Sequence, residues 1–309
     1  TPREGQGGMA TELLAPAGGL EAGLAAFQYG ADAVYLGLSR FSARADATNF
    51  TPEQLDSLVG HAHSLTPRRR VFVTVNTLVV QSELAELCET LGVISDIGAD
   101  AAIVQDLGVL RLCRRHFPEL ELHASTQLAA HDRAGVETLA KLGFKRVTLA
   151  RELTLDEIRD CASVPGTEVE TFLHGALCYS YSGLCLFSSQ LLGRSGNRGT
   201  CAYPCRDRWR VEAHCGADLP ADKQSGFAFS MKDLALGEHV PGLVQAGVAC
   251  LKIEGRKKSP LYVATTVDYY RRLLDGTLRP AERAAREEDL KAVFSRPWTS
   301  LYVQSHRDK

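Results

Sequence analysis

The stretch VFVTVNTLVVQSELAELCETLGVISDIGADAAIV, residues 71–104, decides the fold class of this chain. It begins with a β-branched run at 71–75, continues with a segment at 82–97 whose apolar residues recur at helical spacing, and ends with an apolar run at 101–104. A strand, a helix and a second strand in this order are typical of a parallel β-α-β unit. The stretch therefore predicts a parallel sheet covered by helices.

The same alternation recurs along most of the chain. The predicted strands are residues 12–15, 33–36, 71–75, 101–104, 121–124, 146–149, 169–173 and 250–253. The predicted helices are residues 20–29, 52–65, 82–97, 108–116, 133–142 and 155–162. Because no GxGxxG follows the first strand, these units favour an α/β fold of the (β/α)8 TIM-barrel type over an open doubly wound sheet.

Local signals mark several helix ends. Thr51 precedes Pro52, and Thr154 precedes two acidic residues, as is usual for helix N-caps. Four glycines lie where we expect helices to stop, since glycine adopts the left-handed conformation that ends many helices. They are Gly30, Gly92, Gly98 and Gly143.

Composition restricts the class of protein. The chain has 309 residues, 45% of them hydrophobic and 23% charged, with 35 Lys and Arg against 37 Asp and Glu. A net charge of −2 predicts no general attraction to nucleic acid or membrane, so an anionic partner must bind a local patch. No run approaches the roughly 20 apolar residues of a membrane span, and the start lacks the apolar core of a signal peptide. We expect a cytoplasmic protein without a membrane partner.

The domain organisation follows from the spacing of the strands. Residues 1–11 are interpreted as a leader or tag remnant, 12–275 as the barrel, and 276–309 as a C-terminal helix and extension that would lead to further domains in a longer native protein. A long insertion, residues 174–249, separates the seventh and eighth strands. Because barrel active sites form at the carboxyl ends of the strands, the insertion is expected to cover the catalytic mouth.

Five of the nine cysteines lie in this insertion, and four of them fall within residues 178–205. Cys178, Cys185, Cys201 and Cys205 have the spacing C-x6-C-x15-C-x3-C. Four thiolates are the usual ligands of a [4Fe–4S] cluster, and four-thiolate zinc satisfies the same count. Zinc sites tend to use paired C-x2-C knuckles, so the uneven gaps favour a cluster. Buried or redox-active cysteines remain the third alternative.

Polar residues recur where the predicted strands end, and together they would line one cavity. Imidazole and carboxylate groups can transfer protons near neutral pH. The candidate catalytic residues are His123, Gln127, His174 and Glu254. For any single residue, the alternative is a helix cap, a turn or a solvated loop.

Two basic segments, around 194–210 and 252–258, are candidate substrate-binding regions. Guanidinium groups suit bidentate binding of carboxylate or phosphate, and the interleaved aromatic residues could stack on bases. The candidate substrate-binding residues are Asn76, Arg194, Asn197, Arg198, Lys252 and Arg256. The alternative is a solvated loop with salt links to the barrel rim.

Long motifs carry a family resemblance. They are ELLAPAG (12–18), DAVYLG (32–37), HGALCYSYSGLC (174–185), GRSGNRGTCAYPCR (193–206), FSMKDL (229–234) and LKIEGRKKSPLYV (251–263). In this order they resemble the collagenase-like peptidase family of unclassified catalytic type. Members of that family include proteins for prephenate-dependent, oxygen-independent hydroxylation of transfer RNA uridine or ribosomal RNA cytidine, and a pair that acts in ubiquinone hydroxylation.

The resemblance implies an iron–sulfur protein that hydroxylates an RNA base, with ribosomal RNA cytidine favoured by residues 193–206. It implies prephenate or a similar dicarboxylate, RNA and a protein partner as ligands. A collagenase-like peptidase, a ubiquinone-pathway protein and a non-enzymatic cluster-carrying subunit are the alternatives, although no HExxH or GxSxG motif is present. In some relatives the fourth cysteine follows the FSMKDL segment. Ala235 occupies that position here, which leaves Cys205 as the fourth ligand.

Overall fold

Eight parallel strands form a closed barrel in the computed structural model, which describes residues 11–212 and 225–306. The barrel strands are β1 (Glu12–Pro16), β2 (Ala33–Leu36), β3 (Arg70–Val75), β4 (Ala101–Val104), β5 (Leu122–Ala124), β6 (Arg146–Thr148), β7 (Glu168–Ala176) and β11 (Cys250–Ile253). Four short strands lie outside the barrel, namely β8 (Trp209–Arg210), β9 (Ser225–Gly226), β10 (Asp233–Ala235) and β12 (Trp298–Thr299). The last barrel strand, β11, pairs in parallel with both β1 and β7 and so closes the barrel. The predicted (β/α)8 fold is confirmed.

Helices cover the outside of the barrel. They are α1 (Leu20–Gln28), α2 (Pro52–Ser64), α3 (Leu84–Ile97), α4 (Leu107–His116), α5 (Arg133–Leu142), α6 (Leu155–Ala162), α7 (Phe187–Leu192), α8 (Val240–Gln245), α9 (Pro260–Leu274) and α10 (Pro280–Val293). Within residues 11–212 and 225–306, none of these helices is long and apolar enough to cross a membrane. Of the predicted segments, residues 1–10 of the leader, 213–224 of the insertion and 307–309 of the extension lie outside the described residues.

The predicted helix signals are largely confirmed, with one exception. Thr51 caps α2 by accepting from the Gln54 N–H while Gln54 accepts from the Thr51 N–H, and Gly98 and Gly143 end α3 and α5 with φ values of 78° and 103°. The prediction that Gly92 ends a helix is wrong, because α3 continues through it. Leu91 and Ile94 on either side are fully buried, and this packing outweighs the cost of about 1 kcal/mol for a glycine in a helix.

The interior of the barrel contains a compensated network of charges. Arg146 at the start of β6 is only 1% exposed, and its guanidinium donates to Glu12 at 3.1 Å and to Glu168 at 2.6 Å. Glu170 in β7 lies 3.7 Å from the same guanidinium and accepts from Lys252 Nζ at 2.8 Å. Each buried charge therefore has a partner of opposite sign, as buried ions require.

The end of the insertion is bound to the barrel by an extension of β7. Strand β10 pairs antiparallel with this extension, with Leu234 opposite Gly175, and β12 adds to β10. Gly175 has φ 112°, and a Cβ there would lie 2.5 Å from the Glu254 carbonyl oxygen. Only glycine allows the end of β7 to approach the chain that follows β11 this closely.

Four aromatic side chains of the insertion pack against one another. The rings of Phe187, Trp209, Phe229 and Tyr179 have centroid distances between 5.1 and 5.6 Å. Most of these contacts are edge-to-face, an arrangement that stabilises aromatic clusters beyond the area they bury. The cluster holds the segment after β7 to the segment that precedes β10.

Candidate active site beneath the insertion

A cavity of about 400 Å³ lies at the carboxyl ends of the barrel strands and is covered by the insertion. Its floor includes Tyr35, Ile103 and Phe172 from the strands, and its wall includes the four cysteines at positions 178, 185, 201 and 205. Active sites of (β/α)8 barrels form at this end. This cavity is therefore the candidate active site.

The cysteine sulfurs accept hydrogen bonds from the backbone of the insertion. The Phe187 N–H donates to Cys185 Sγ at 3.4 Å, and the Tyr203 N–H donates to Cys201 Sγ at 3.4 Å. Hydrogen bonds to the sulfurs are one of the means by which proteins tune iron–sulfur clusters.

The four thiols influence one another without converging on one point. Burial raises the pKa of Cys205, the nearby charge of Arg206 opposes this, and the other three cysteines raise the pKa further. Among the described residues, no group of three or more His, Cys, Asp or Glu side chains is close enough to hold a single metal ion. Zinc requires all four sulfurs about 2.3 Å from one ion. The described thiols do not have that arrangement.

Positive charge predominates in the cavity. Glu254 supplies the only carboxylate among the described lining residues, and it accepts from Arg44 at 3.3 Å. Burial by itself would raise the pKa of Glu254, but the charges of Arg44 and neighbouring cations lower it, so the carboxylate is ionised. Eight cationic side chains line the same cavity, namely Arg44, Arg151, Arg206, Arg256, Arg296, Lys252, Lys257 and Lys258. This surplus attracts anions.

Arg256 is the most distinctive of these cations because it is 3% exposed and has only neutral partners. Nη1 donates to Ser42 Oγ at 2.6 Å and to Thr74 Oγ1 at 3.0 Å, and Nη2 donates to Asn49 Oδ1 at 2.5 Å. The buried Nε has no partner within the described part of the chain. Burial lowers the pKa of Arg256 to about 10, which leaves it charged at neutral pH. Glu254 acts on Arg256 at longer range without forming an ion pair, and a buried cation without a paired counter-ion is costly unless a bound anion compensates it.

Two glycines make room for this arrangement. A Cβ at Gly37, the last residue of the DAVYLG motif, would lie 2.5 Å from Arg256 Nη2. A Cβ at Gly199, where φ is 82°, would lie 2.3 Å from the Ser42 carbonyl oxygen. The DAVYLG motif and the motif at residues 193–206 therefore each contribute a glycine. These glycines let the loop after β2, the insertion and Arg256 approach one another closely.

Nine of the sequence-predicted site residues line the cavity. Lys252 is held by Glu170 and lies 4.4 Å from the centroid of the Tyr35 ring. The Asn76 side-chain oxygen accepts from the Ala43 N–H at 3.0 Å. The nine are Asn76, Gln127, Lys252, Glu254, Arg256, Cys178, Cys185, Cys201 and Cys205.

The two predicted catalytic histidines lie outside the cavity wall. His123 is buried within the barrel, where it hydrogen-bonds to Glu121 at 2.8 Å, and burial lowers its pKa. His174 Nδ1 hydrogen-bonds to the Tyr270 hydroxyl at 3.0 Å, and burial lowers its pKa to about 4. Both rings are neutral at pH 7. Their roles in proton transfer stay predictions.

The predicted substrate-binding residues of the first basic segment contact protein groups. Arg198 donates to Glu83 at 2.7 Å, which is the geometry of a salt link to the barrel rim. Arg194 Nε donates to the Thr200 carbonyl at 3.1 Å, and Asn197 Nδ2 donates to the Cys185 carbonyl at 3.4 Å. None of the three lines the cavity. Their substrate-binding roles stay predictions.

Sequence reasoning did not identify Arg44 and Tyr35 as site residues. Arg44 lies in the loop between β2 and α2, and the Tyr35 hydroxyl donates to the Ile253 carbonyl at 2.9 Å. The length of that loop at the carboxyl end of a barrel strand was the available signal, because long loops at this end are usually functional.

Comparison with known proteins places the chain in a family. The model of peptidase family U32 matches residues 18–309. The chain is 38% identical over 267 residues to tRNA hydroxylation protein P1 of Bacillus subtilis, an alignment that covers 85% of this chain and 63% of that protein. It is 38% identical over 275 residues to a 23S rRNA 5-hydroxycytidine synthase of Escherichia coli, covering 89% of this chain and 41% of that protein. The chain thus spans less than two thirds of both relatives.

A solved structure agrees at the level of the fold. The U32 peptidase Mk0906 superposes with a TM-score of 0.53 at 14% identity, covering 82% of this chain and 97% of that one. The match of the family model over residues 18–309 shows that the chain belongs to peptidase family U32.

Proposed function

We propose that this chain is an iron–sulfur protein of the cytoplasm that acts in oxygen-independent, prephenate-dependent hydroxylation of a base in RNA. The observation that carries the proposal is Arg256, a buried cation with neutral partners only, in a cavity that also contains four cysteines. The names of the relatives support RNA as the substrate. Cytidine of ribosomal RNA is the favoured base, because residues 193–206 resemble that group of relatives.

The cysteines suit a cluster better than zinc. In a [4Fe–4S] cluster each thiolate binds a different iron atom, so the sulfurs stand further apart than around one ion. Cys178, Cys185, Cys201 and Cys205 would hold the cluster, and the N–H donors to Cys185 and Cys201 would stabilise its thiolates. When bound, the cluster would supply redox or Lewis-acid chemistry at the cavity wall.

The cations suit a small dicarboxylate. Arg151, Arg206 and Arg256 have only uncharged hydrogen-bonding partners in the described chain, whereas Lys252 and Arg44 are neutralised by Glu170 and Glu254. Three guanidinium groups without carboxylates can bind the two carboxylates of prephenate, and each such pair is strengthened by charge. Water is displaced from a cavity of this size when the ligand fills it.

A cysteine peptidase is less compatible with the site. Such an enzyme needs an imidazole within hydrogen-bonding reach of its thiol. His174, the nearest histidine to Cys178 in sequence, is buried against Tyr270 and lies outside the cavity wall.

The test combines iron analysis with nucleoside mass spectrometry. The protein is purified without oxygen, and its iron, sulfide and visible spectrum are measured; RNA is then analysed from a host strain without its own RNA hydroxylation proteins that expresses this chain. We expect about four irons per chain and a nucleoside that is heavier by one oxygen.

The matched variants are Cys205→Ser and Cys88→Ser. Cys205 lines the cavity, whereas Cys88 is an exposed cysteine on α3. We expect Cys205→Ser to lose the spectrum and the modified nucleoside, and Cys88→Ser to keep both. An iron-free wild type that cleaves peptides and leaves RNA unmodified would overturn the proposal.

A further inference from the structure

A second cavity of about 170 Å³ adjoins the first. The two share a wall made by Arg151, Ser182 and the segment 177–180 that contains Cys178. We propose that the second cavity receives a single pyrimidine base flipped out of RNA, which it holds against Cys178. This inference rests on the proposed function and adds to it the place where the base binds.

The charges of the two cavities differ sharply. The first is lined by eight cations and one carboxylate, whereas the second is lined by one cation, Arg151, and one carboxylate, Glu152. A strongly positive cavity selects an anion, and a cavity with balanced charge selects a neutral ligand that has both donors and acceptors. A nucleobase is a ligand of that kind.

Aromatic rings surround the second cavity. Tyr179 and Tyr181 are 50% and 47% exposed, although both are large side chains, and Tyr302 lies on the same cavity. The edge contact between the rings of His131 and Tyr181, 6.0 Å apart, supports the tyrosine without covering the cavity. Proteins recognise unstacked RNA bases by stacking them on such rings.

Hydrogen-bonding groups are available beside these rings. Arg151 Nε is buried and has no partner within the described residues, although its guanidinium stacks on Phe172 at 3.9 Å. A pyrimidine carbonyl in the cavity would accept from the outer guanidinium nitrogens of Arg151, one of which also donates to the Ala176 carbonyl at 3.3 Å. Glu152, held by the Ser182 N–H at 2.9 Å and by its hydroxyl at 2.5 Å, adds an acceptor.

The size and position of the cavity suit one base. At about 30 Å³ for each water, the volume equals that of about six waters, which is enough for a single ring with its substituents. Because Cys178 and Arg151 line both cavities, a base in the second would lie next to a dicarboxylate in the first. A base inside a helix cannot reach this site, so the target must lie in a loop or be flipped out.

The experiment uses an RNA oligonucleotide with 5-iodouridine at the target position. Irradiation cross-links this base to the aromatic ring on which it stacks, and mass spectrometry then identifies the cross-linked residue. We expect cross-links to Tyr179, Tyr181 or Tyr302. RNA affinity and prephenate-dependent thermal stabilisation are measured on the same preparations.

Three variants test whether the base stacks on the ring of Tyr181. Tyr181→Ala should weaken RNA binding by about 5- to 150-fold, the effect of losing one base–aromatic stack, while prephenate stabilisation is unchanged. Tyr181→Phe should keep the affinity, because the ring remains. Tyr29→Ala, at an exposed tyrosine that follows α1, is the control and should have no effect.

Two outcomes would overturn the inference. If RNA binds and is hydroxylated but cross-links only outside the three tyrosines, the second cavity is not the base site and the proposed function stands. If no RNA binds while prephenate still stabilises the protein, both the base site and the proposed RNA hydroxylation fail.

Discussion

Two buried arginines, at opposite ends of the same barrel, differ in what surrounds them. Arg146 starts β6 at the amino end and is enclosed by three carboxylates, those of Glu12, Glu168 and Glu170. Arg256 follows β11 at the carboxyl end and meets only Ser42, Thr74 and Asn49. Burial of a cation is therefore not sufficient to mark a binding site. A buried cation that forms no ion pair with a carboxylate is the stronger sign of a binding site.

The difference matches the separate roles of the two ends of such barrels. The amino end of the barrel carries stability, and the carboxyl end carries the active site. At the amino end burial acts to lower the pKa of Arg146, but Cys250 and the neighbouring carboxylates outweigh it and raise the pKa, whereas burial lowers the pKa of Arg256. The fold supplies carboxylates to the first charge and only uncharged hydrogen-bonding partners to the second.

The largest effect is expected from Arg146→Met. Removing one member of a buried ion network leaves the others unpaired and typically costs about 3–5 kcal/mol. Urea denaturation should show this loss in the free energy of unfolding, with Arg111→Met at an exposed position of α4 as the control. Equal losses in the two variants would mean that the network does not stabilise the barrel.

The acid sensitivity of the barrel should depend on Glu170. Burial alone would raise its pKa, but Lys252 and Arg146 outweigh burial and hold the pKa at about 2. Because this folded-state pKa is below the unfolded value of about 4.3, Glu170 contributes stability above pH 4.3 that is lost as the pH falls toward 2. Each proton taken up changes the stability by about 1.4 kcal/mol per pH unit.

Glu170→Gln tests that contribution. We expect the variant to be less stable than the wild type at pH 6 and the gap to close between about pH 4 and 2, in the window set by the pKa shift. Denaturation midpoints measured across this range supply the comparison. A gap that stays constant down to pH 2 would show that the carboxylate charge of Glu170 is not what stabilises the barrel.

A smaller effect on stability is expected from Arg256→Met. The variant loses three hydrogen bonds but also removes a buried charge without a counter-ion, and the two effects oppose each other. The free energy of unfolding without ligand should therefore stay within about 1 kcal/mol of the wild type. A loss as large as that of Arg146→Met would abolish the distinction between the two arginines.

The smallest effect is expected from Arg198→Ala. Its guanidinium pairs with Glu83 at an exposed position, where ion pairs contribute about 0–1 kcal/mol. Thermal unfolding should change little, and ligand binding should not change. A marked loss of prephenate binding in this variant would restore the predicted substrate role of Arg198.

The barrel could be predicted because its signals are local. Helical spacing, caps such as Thr51 and short apolar runs lie within a few residues of one another, and the order of strands follows from their succession. The exact length of β7 could not be predicted, because its extension depends on pairing with β10 at the far end of the insertion.

The site could be predicted only in part, because its contacts join residues that are far apart in the sequence. Arg256 was identified from its basic segment, yet its partners Ser42, Asn49 and Thr74 come from other parts of the chain. For His123 and His174, a position near a strand end does not determine whether the side chain faces the cavity or the packed interior. Both rings lie in the interior.

Calorimetric titration with prephenate tests the central claim most directly. The wild type, Arg256→Met and Arg198→Ala are compared after purification without oxygen. Truncating a buried, charge-paired residue at a binding site costs about 2–5 kcal/mol, so Arg256→Met should bind at least about 30-fold more weakly while Arg198→Ala binds like the wild type. Equal affinity in wild type and Arg256→Met would contradict the account.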